Sequence, residues 1–229
     1  MRISLVCPYA WDRPGGVQSH VRSLVNVLRR RAHEVQVIAP SSLSRRHTSD
    51  DVTFVGRAVG LPANGSIAPI AFGPDAALGV RRALKAFRPD VMHLHEPLLP
   101  GLSLFALWGA HPPAVGTFHA AADSSVGYQI ASAALRRAAE RLDVRTAVSD
   151  QARALIRRYF PGEYVLTPNG LDAERFASAE PLDLGPGEKV LFLGRIERRK
   201  GLEVLIQAMT RLRDLDARVV VGGTGPEER

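Results

Sequence analysis

The chain has 229 residues, 45% hydrophobic and 23% charged, with a formal net charge of +7. These are the proportions of an ordinary globular protein, and no run approaches the roughly 20 apolar residues of a membrane-spanning helix. One cysteine excludes an internal disulfide, and the arginine excess suits anionic partners without choosing among nucleic acid, phosphorylated ligands and an acidic membrane surface.

The opening run Ile3 to Cys7 reads as a buried strand, too short for a leader and with no small-residue cleavage site after it. Cys7 at its end is a small core residue. A loop with Pro8, Pro14, Gly15 and Gly16 follows. Val17, Val21, Leu24, Val25 and Leu28 then recur at helical spacing up to Arg31. Glu34 to Ala39 is a second strand. A strand–loop–helix–strand unit of this length opens a parallel sheet by a right-handed crossover.

The alternation continues along the chain. Short strands are expected within 52–61, a helix over 75–87, a strand over 90–95, a helix over 98–109 and a strand over 114–119. A helix over 127–142, a strand over 143–148, a helix over 150–159 and a short strand over 164–166 complete the run. This is the pattern of an α/β doubly wound domain, whose functional residues gather in loops at the carboxyl ends of the strands. Residues 1–170 are assigned to it. Residues 171–187, rich in Asp, Glu, Pro and Gly, read as a linker. Residues 188–229 then offer a strand over 189–193, a helix over 202–212, a strand over 217–221 and a glycine-rich turn. One such βαβ unit buries too little apolar surface to stand alone. It is expected to be the start of a second, incomplete domain.

Pro14-Gly15-Gly16-Val17, between the first strand and the first helix, carries the first chemical signal. Its glycines allow close backbone approach, and the helix start offers free N–H groups and partial positive charge, which together suit an anion or phosphate. A tight turn that merely needs glycine is the alternative. The motif is not the dinucleotide fingerprint, and Pro40 and Ser41 stand where an acidic residue would bind a ribose, so NAD is disfavoured. The second signal is Gly194-Arg195-Ile196-Glu197-Arg198-Arg199-Lys200-Gly201, directly after an apolar strand. Arg195 and Lys200 can both reach one point above that strand's end, where two cations would neutralise a diphosphate leaving group without a metal. A solvated basic turn is the alternative. His119, at the carboxyl end of its strand, suits polar contact with a sugar.

His93, His95 and Glu96 make a poor metal site, because the two histidines share a strand face that Glu96 does not. No H-E-x-x-H, C-x-x-C or D-x-D pattern occurs. Asn64-Gly65-Ser66 is a polar turn that either lines an acceptor pocket or is only a turn. Arg81, Arg82, Lys85 and Arg88, beside Leu78, Leu84 and Phe87, make the next helix basic and amphipathic. That face is either solvated or laid on an anionic membrane surface. Nucleic acid is not expected, since aromatic interleaving and any recognisable module are lacking.

The order of the motifs is more specific than any one of them. Cys7-Pro8-Tyr9, Pro14-Gly15-Gly16-Val17 with His20, Ala32-His33-Glu34-Val35, His93-Leu94-His95-Glu96-Pro97, Thr117-Phe118-His119, Ala147-Val148-Ser149, Pro168-Asn169-Gly170-Leu171-Asp172, Phe192-Leu193-Gly194-Arg195 and Lys200-Gly201 follow one another. Together they resemble the retaining, nucleotide-sugar-dependent glycosyltransferases of GT-B fold, and within them the actinobacterial phosphatidylinositol mannosyltransferases. The resemblance implies two Rossmann-like domains, with the acceptor on the first and the donor on the second.

It further implies that Gly16, beside Gly15, donates its N–H to the donor diphosphate. Arg195 and Lys200 would hold that diphosphate as it leaves, and His119 would contact the transferred sugar near its 6-hydroxyl. Tyr9, Asp12, Asn64 and Ser66 would face the acceptor. No cofactor or metal is implied. The co-substrate is a nucleotide diphosphate sugar, with GDP-mannose favoured by likeness alone, and a cytoplasmic protein, peripheral at the inner membrane face, is expected.

The chain departs from the mannosyltransferase pattern in having Ala63, Pro69 and Ala71 around the Asn-Gly-Ser turn and Ala122-Asp123-Ser124 after His119. The basic residues that would grip an inositol phosphate are missing there, which leaves a lipid, a polyol or a sugar as acceptor. The resemblance also implies roughly 130 further residues in the second domain. By itself the chain is expected to transfer little, because proximity catalysis needs both walls of a cleft. The reading from another class is a non-catalytic carbohydrate- or lipid-binding protein derived by truncation, and a sugar-nucleotide epimerase fits the basic turn less well.

Overall fold

The computed structural model describes residues 1–43, 52–63, 66–109, 112–171, 173–212, 214 and 216–228. The chain divides into two units, Met1–Ala173 and Glu174–Arg229.

In the first unit, β1 (Arg2–Val6), α1 (Gly16–Arg30) and β2 (Glu34–Ser41) form the expected opening unit. β3 (Val52–Arg57) follows, then an antiparallel hairpin of β4 (Val59–Ala63) and β5 (Ser66–Ile70), and α2 (Pro74–Phe87). β6 (Val91–His95), α3 (Leu102–Gly109), β7 (Ala114–Phe118) and α4 (Val126–Glu140) come next. β8 (Val144–Ala147), α5 (Asp150–Tyr159) and the short β9 (Val165–Leu166) complete the sheet.

Seven strands lie in the order β3-β2-β1-β6-β7-β8-β9, every pair parallel. The connections run outward in opposite directions from the β1/β6 pair, which makes that pair the switch point where a doubly wound sheet opens a crevice at its carboxyl edge.

Side-chain alternation explains the two cores. Ile3, Leu5 and Cys7 in and after β1, with Val35, Val37 and Ala39 of β2, pack against Val21 and Val25 of α1. Val6, Ile38, Met92, Leu94 and Phe118 point the other way. They meet Val80 and Leu84 of α2, Leu102 and Ala106 of α3, Ala138 of α4 and Ile156 of α5. His93 and His95 therefore face the α1 side of the sheet. Ser125 and Ser149 cap α4 and α5 by accepting the N–H groups of Tyr128 and Ala152.

Three details differ from the sequence reading. α3 begins at Leu102 rather than Leu98, because Leu99 N–H bonds back to the Glu96 carbonyl in a turn and Gly101, at φ 120°, redirects the chain. β4 and β5 pair as an antiparallel hairpin whose second strand carries Pro69, a residue that strand patterning excludes except at edges. A short helix, α6 (Ala173–Ala177), lies within the stretch read as linker, where the residues Ala173-Glu174-Arg175-Phe176-Ala177 include no breaker.

The second unit contains one parallel pair, β10 (Glu188–Leu193) and β11 (Ala217–Gly222), joined through a 3-10 turn at Arg198–Lys200 and α7 (Leu202–Met209). Several of its apolar residues are open: Leu191, Leu193 and Val204 are each more than 60% exposed.

Candidate functional site

The loops after β1, β6 and β7 in the first unit converge on four imidazoles. His93 and His95 stack with ring centroids 4.5 Å apart. His119, the residue after β7, places its Nε2 2.9 Å from His95 Nδ1. His20, in the second turn of α1, stands edge-on to both His95 and His119 with centroids 5.6 Å away. His93 Nε2 lies 2.6 Å from the Thr117 hydroxyl, which lies 2.6 Å from that of Thr146.

Burial disfavours charge on all four rings. It holds His93 down to about 4 and His119 to about 3, and lowers His20 and His95 as well, with neighbouring imidazoles adding to the shift on His93, His95 and His119. Burial thus favours the neutral form of the rings, and His93, His95 and His119 act as hydrogen-bonding groups.

Glu96 follows β6 at φ 48°, a left-handed conformation that swings its buried carboxylate away from the strand direction. One oxygen accepts the backbone N–H groups of both His119 and Ala120 at 2.7 Å. Burial raises its pKa, and those two bonds oppose the rise.

α1 starts beside this cluster. Gly15 is its N-cap, in extended backbone and with no side-chain cap hydrogen bond, and the first N–H groups of a helix have no acceptor within the helix itself. A Cβ at Gly15 would strike Gln18, whose amide is committed to the Ala10 carbonyl at 3.1 Å. A Cβ at Gly16 would meet nothing within 4 Å. The chain itself makes no steric demand for glycine at 16.

The other expected residues fall in several places. Tyr9 pairs through its backbone with Ile70, tying the β4–β5 hairpin to the loop after β1, and burial raises its hydroxyl pKa. Asp12 staples that loop to the end of β2, accepting Ser42 N–H at 2.9 Å and Ser42 Oγ–H at 2.9 Å. Slight burial raises the Asp12 pKa, but the Ser42 bonds and the Arg13 charge outweigh it and hold the carboxylate below its usual range. Asn64 lies outside the described residues, and Ser66 begins β5. Cys7 is fully buried, its thiol pushed up to about 12 by desolvation.

Past His119, a cleft of about 460 Å³ has Asp123, Gln151 and Arg158 on its rim, and Arg158 donates to the Asp123 carbonyl at 2.7 Å. Arg81, Arg82, Lys85 and Arg88 are exposed on and just after α2. Among the described residues no group of three or more His, Cys, Asp or Glu is arranged to hold a metal ion, and no helix is long and apolar enough to cross a membrane.

In the second unit Arg195 and Lys200 stand in the turn after β10. Glu197, 7% exposed, bridges the two half-exposed arginines: its carboxylate lies 3.1 Å from Arg195 Nε and 3.1 Å from Arg199 Nε. The turns after β10 and β11 touch backbone to backbone, with Gly194 N–H on Gly222 O at 2.9 Å and Ile196 N–H on Thr224 O at 3.0 Å. A side chain at Gly223 or Gly225 would collide with the carbonyls of Gly194 or Ile196.

Residues 14–175 match the family model described as Glycosyltransferase Family 4. The chain belongs to that family. It is 43% identical over 233 residues to a phosphatidyl-myo-inositol mannosyltransferase of Mycolicibacterium smegmatis, covering 100% of this chain and 60% of the relative. It is 30% identical over 254 residues to a glycogen synthase of Mycobacterium tuberculosis, covering 93% and 58%. The chain thus spans about 60% of the length of the curated relatives it matches.

The fold is of GT-B type. An alpha-glucosyltransferase solved with UDP-glucose and DNA containing an abasic site superposes with a TM-score of 0.63 at 16% identity, over 98% of this chain and 57% of the other. Sucrose-phosphate synthase from Thermosynechococcus elongatus does so at 0.62 and 20% identity, over 100% and 64%.

Sequence reading assigns His20 no part beyond its place in a longer motif, and offers Glu96 only as a poor metal ligand. Their signal was position: one in the helix after the first strand, the other directly after the strand beside it, and in a doubly wound sheet those two places adjoin.

Proposed function

We propose that this family member is a retaining, metal-independent hexosyltransferase that moves a hexose from a nucleotide diphosphate sugar to a lipid, polyol or sugar acceptor. Mannose from GDP-mannose is the donor favoured by the 43% identity to a phosphatidyl-myo-inositol mannosyltransferase. The observation that carries the reading is the pairing, at the β1/β6 switch point, of a neutral histidine with an uncapped helix start that has open space over Gly16.

In this reading the Met1–Ala173 unit binds the acceptor and the Glu174–Arg229 unit contributes to donor binding. Gly16 donates its N–H to the diphosphate and Gly15 lets the backbone approach. Arg195 and Lys200 supply the positive charge that stabilises the leaving diphosphate. A depressed pKa suits His119 to hydrogen-bond an uncharged hydroxyl rather than act as an acid. The departing phosphate takes the proton of the incoming hydroxyl, which approaches on the face it leaves. By the family resemblance Tyr9, Asp12, Asn64 and Ser66 serve the acceptor, and Asp123, Gln151 and Arg158 line a polar cleft past His119. The basic face around Arg81, Arg82, Lys85 and Arg88 supports peripheral contact with an anionic cytoplasmic membrane surface.

The test is release of nucleoside diphosphate from GDP-mannose, UDP-glucose and UDP-N-acetylglucosamine, with membrane lipid extract and a chelator. It is run on the 229-residue chain and on any longer product of the same reading frame. Metal-independent release by the longer product identifies the donor. Binding of lipid or sugar with no turnover by either protein refutes the transferase reading in favour of a binding protein.

A further inference from the structure

His119 is restrained twice, by two residues that come from the neighbouring strand and that no role above employs. Its backbone is fixed by Glu96, whose single oxygen accepts the N–H groups of His119 and Ala120. Both lie beyond the end of β7, where the strand ladder no longer supplies acceptors, and a part-buried N–H left without one is destabilising. The left-handed φ of Glu96 is what lets the carboxylate reach across from β6.

The ring is fixed by His95. With both imidazoles neutral, one proton lies between His95 Nδ1 and His119 Nε2, and there are two ways to place it. His95 is fully buried, and among the described residues its other nitrogen, Nε2, has no hydrogen-bond partner. If His119 donated, His95 would carry its own proton on Nε2 as an orphaned buried N–H, the rarer and costlier arrangement. If His95 donates from Nδ1, its Nε2 is only an unused lone pair. His119 then accepts on Nε2 and carries its proton on Nδ1.

We propose that His95 and Glu96 are positioning residues for His119: Glu96 fixes its backbone, and His95 fixes its ring in the Nδ1–H tautomer, which makes His119 a donor to the ligand. The stack of His95 on His93, and the Thr117 hydroxyl against His93, hold the donor ring in turn. His20, edge-on to both rings, leaves the His95–His119 bond as the feature that sets the tautomer. The ligand role of His119 rests on the transferase reading; its tautomer does not.

The test is ¹⁵N NMR of histidine-labelled 229-residue protein without donor, with the His119 signals assigned by their loss in His119→Ala. The expected spectrum shows His119 Nδ1 protonated and Nε2 bare. In His95→Leu the pattern reverts towards the Nε2–H form that free imidazole side chains favour. In His95→Asn, whose amide can donate from nearly the same place, the Nδ1–H form is retained. In Glu96→Gln, hydrogen exchange at the His119 and Ala120 amides accelerates by about tenfold.

An Nε2–H His119 in the unaltered chain overturns the proposal by itself, even if His95→Leu fails to fold. So does an unchanged tautomer in a cooperatively melting His95→Leu protein, or unchanged exchange in Glu96→Gln. Absence of sugar transfer, by contrast, would refute the transferase reading and leave the tautomer result standing.

Discussion

Replacing Gly16 by alanine separates what the chain needs from what a ligand needs. The residue opens α1, and a Cβ there would meet nothing within 4 Å. Alanine in a helix gains up to about 1 kcal/mol over glycine, less in the first turn, by lowering the entropy of the unfolded chain. For a unit of this size that is a rise in Tm of roughly 1–3 °C. A diphosphate seated on the N–H of Gly16 would meet the new methyl group. Losing one hydrogen bond to a charged group, worth about 1.5–3 kcal/mol, weakens its binding roughly 10- to 100-fold. Thermal melts and calorimetric titration with GDP-mannose measure both. Gly73→Ala is the control: its Cβ also meets open space, but φ is 103°, so alanine there should destabilise without touching donor affinity. A Tm drop of several degrees in Gly16→Ala would refute the steric argument. A raised Tm with unchanged donor affinity would refute the diphosphate assignment.

Other expectations can be checked alongside. Folding suppresses protonation of His93, His95 and His119, while the unfolded chain protonates these rings below about pH 6.5. Their contribution is therefore complete above that pH and falls as pH drops towards 4, by up to about 1.4 kcal/mol per pH unit for each ring. Glu96, with a raised pKa, acts with the opposite sign, its contribution being lost as pH rises. Melts at pH 7.5 and 5.0 should show a lower Tm at the acid value, with a shallower drop in His93→Gln; a flat profile would count against neutral buried rings. Phe118→Ala removes a ring that is 2% exposed and packed edge-on to Tyr164, and should cost about 3–5 kcal/mol in urea denaturation. Ser149→Ala removes the α5 cap and should cost about 1 kcal/mol by the same assay.

The parallel sheet could be read from the sequence because β1, β6, β7 and β8 are each a short strand run followed directly by a helix. Positions of that kind are decided locally. The β4–β5 hairpin was half-hidden because Pro69 argues against a strand unless its edge is free, and only long-range pairing with Tyr9 and its neighbours reveals that edge. His119 could be picked out as a strand-end residue facing a crevice. Its dependence on Glu96 could not, since alternation along β6 points Glu96 away from His93 and His95, and the left-handed turn that brings it back is invisible to periodicity. Arg195 was read as a cation beside Lys200, whereas Glu197, two residues on, proves to be nearly buried beneath it. An acidic residue inside a basic run reads as solvated until its burial is known.

Cys7 offers an experimental foothold. It is the chain's one thiol, and burial between β1 and α1 keeps it protonated and out of reach of alkylating reagents. A cysteine introduced at an exposed position could therefore be tagged without first removing the natural one. In the unaltered chain, slow modification of Cys7 under native conditions would time the opening of the layer between β1 and α1, and its dependence on denaturant would tell a local opening from global unfolding.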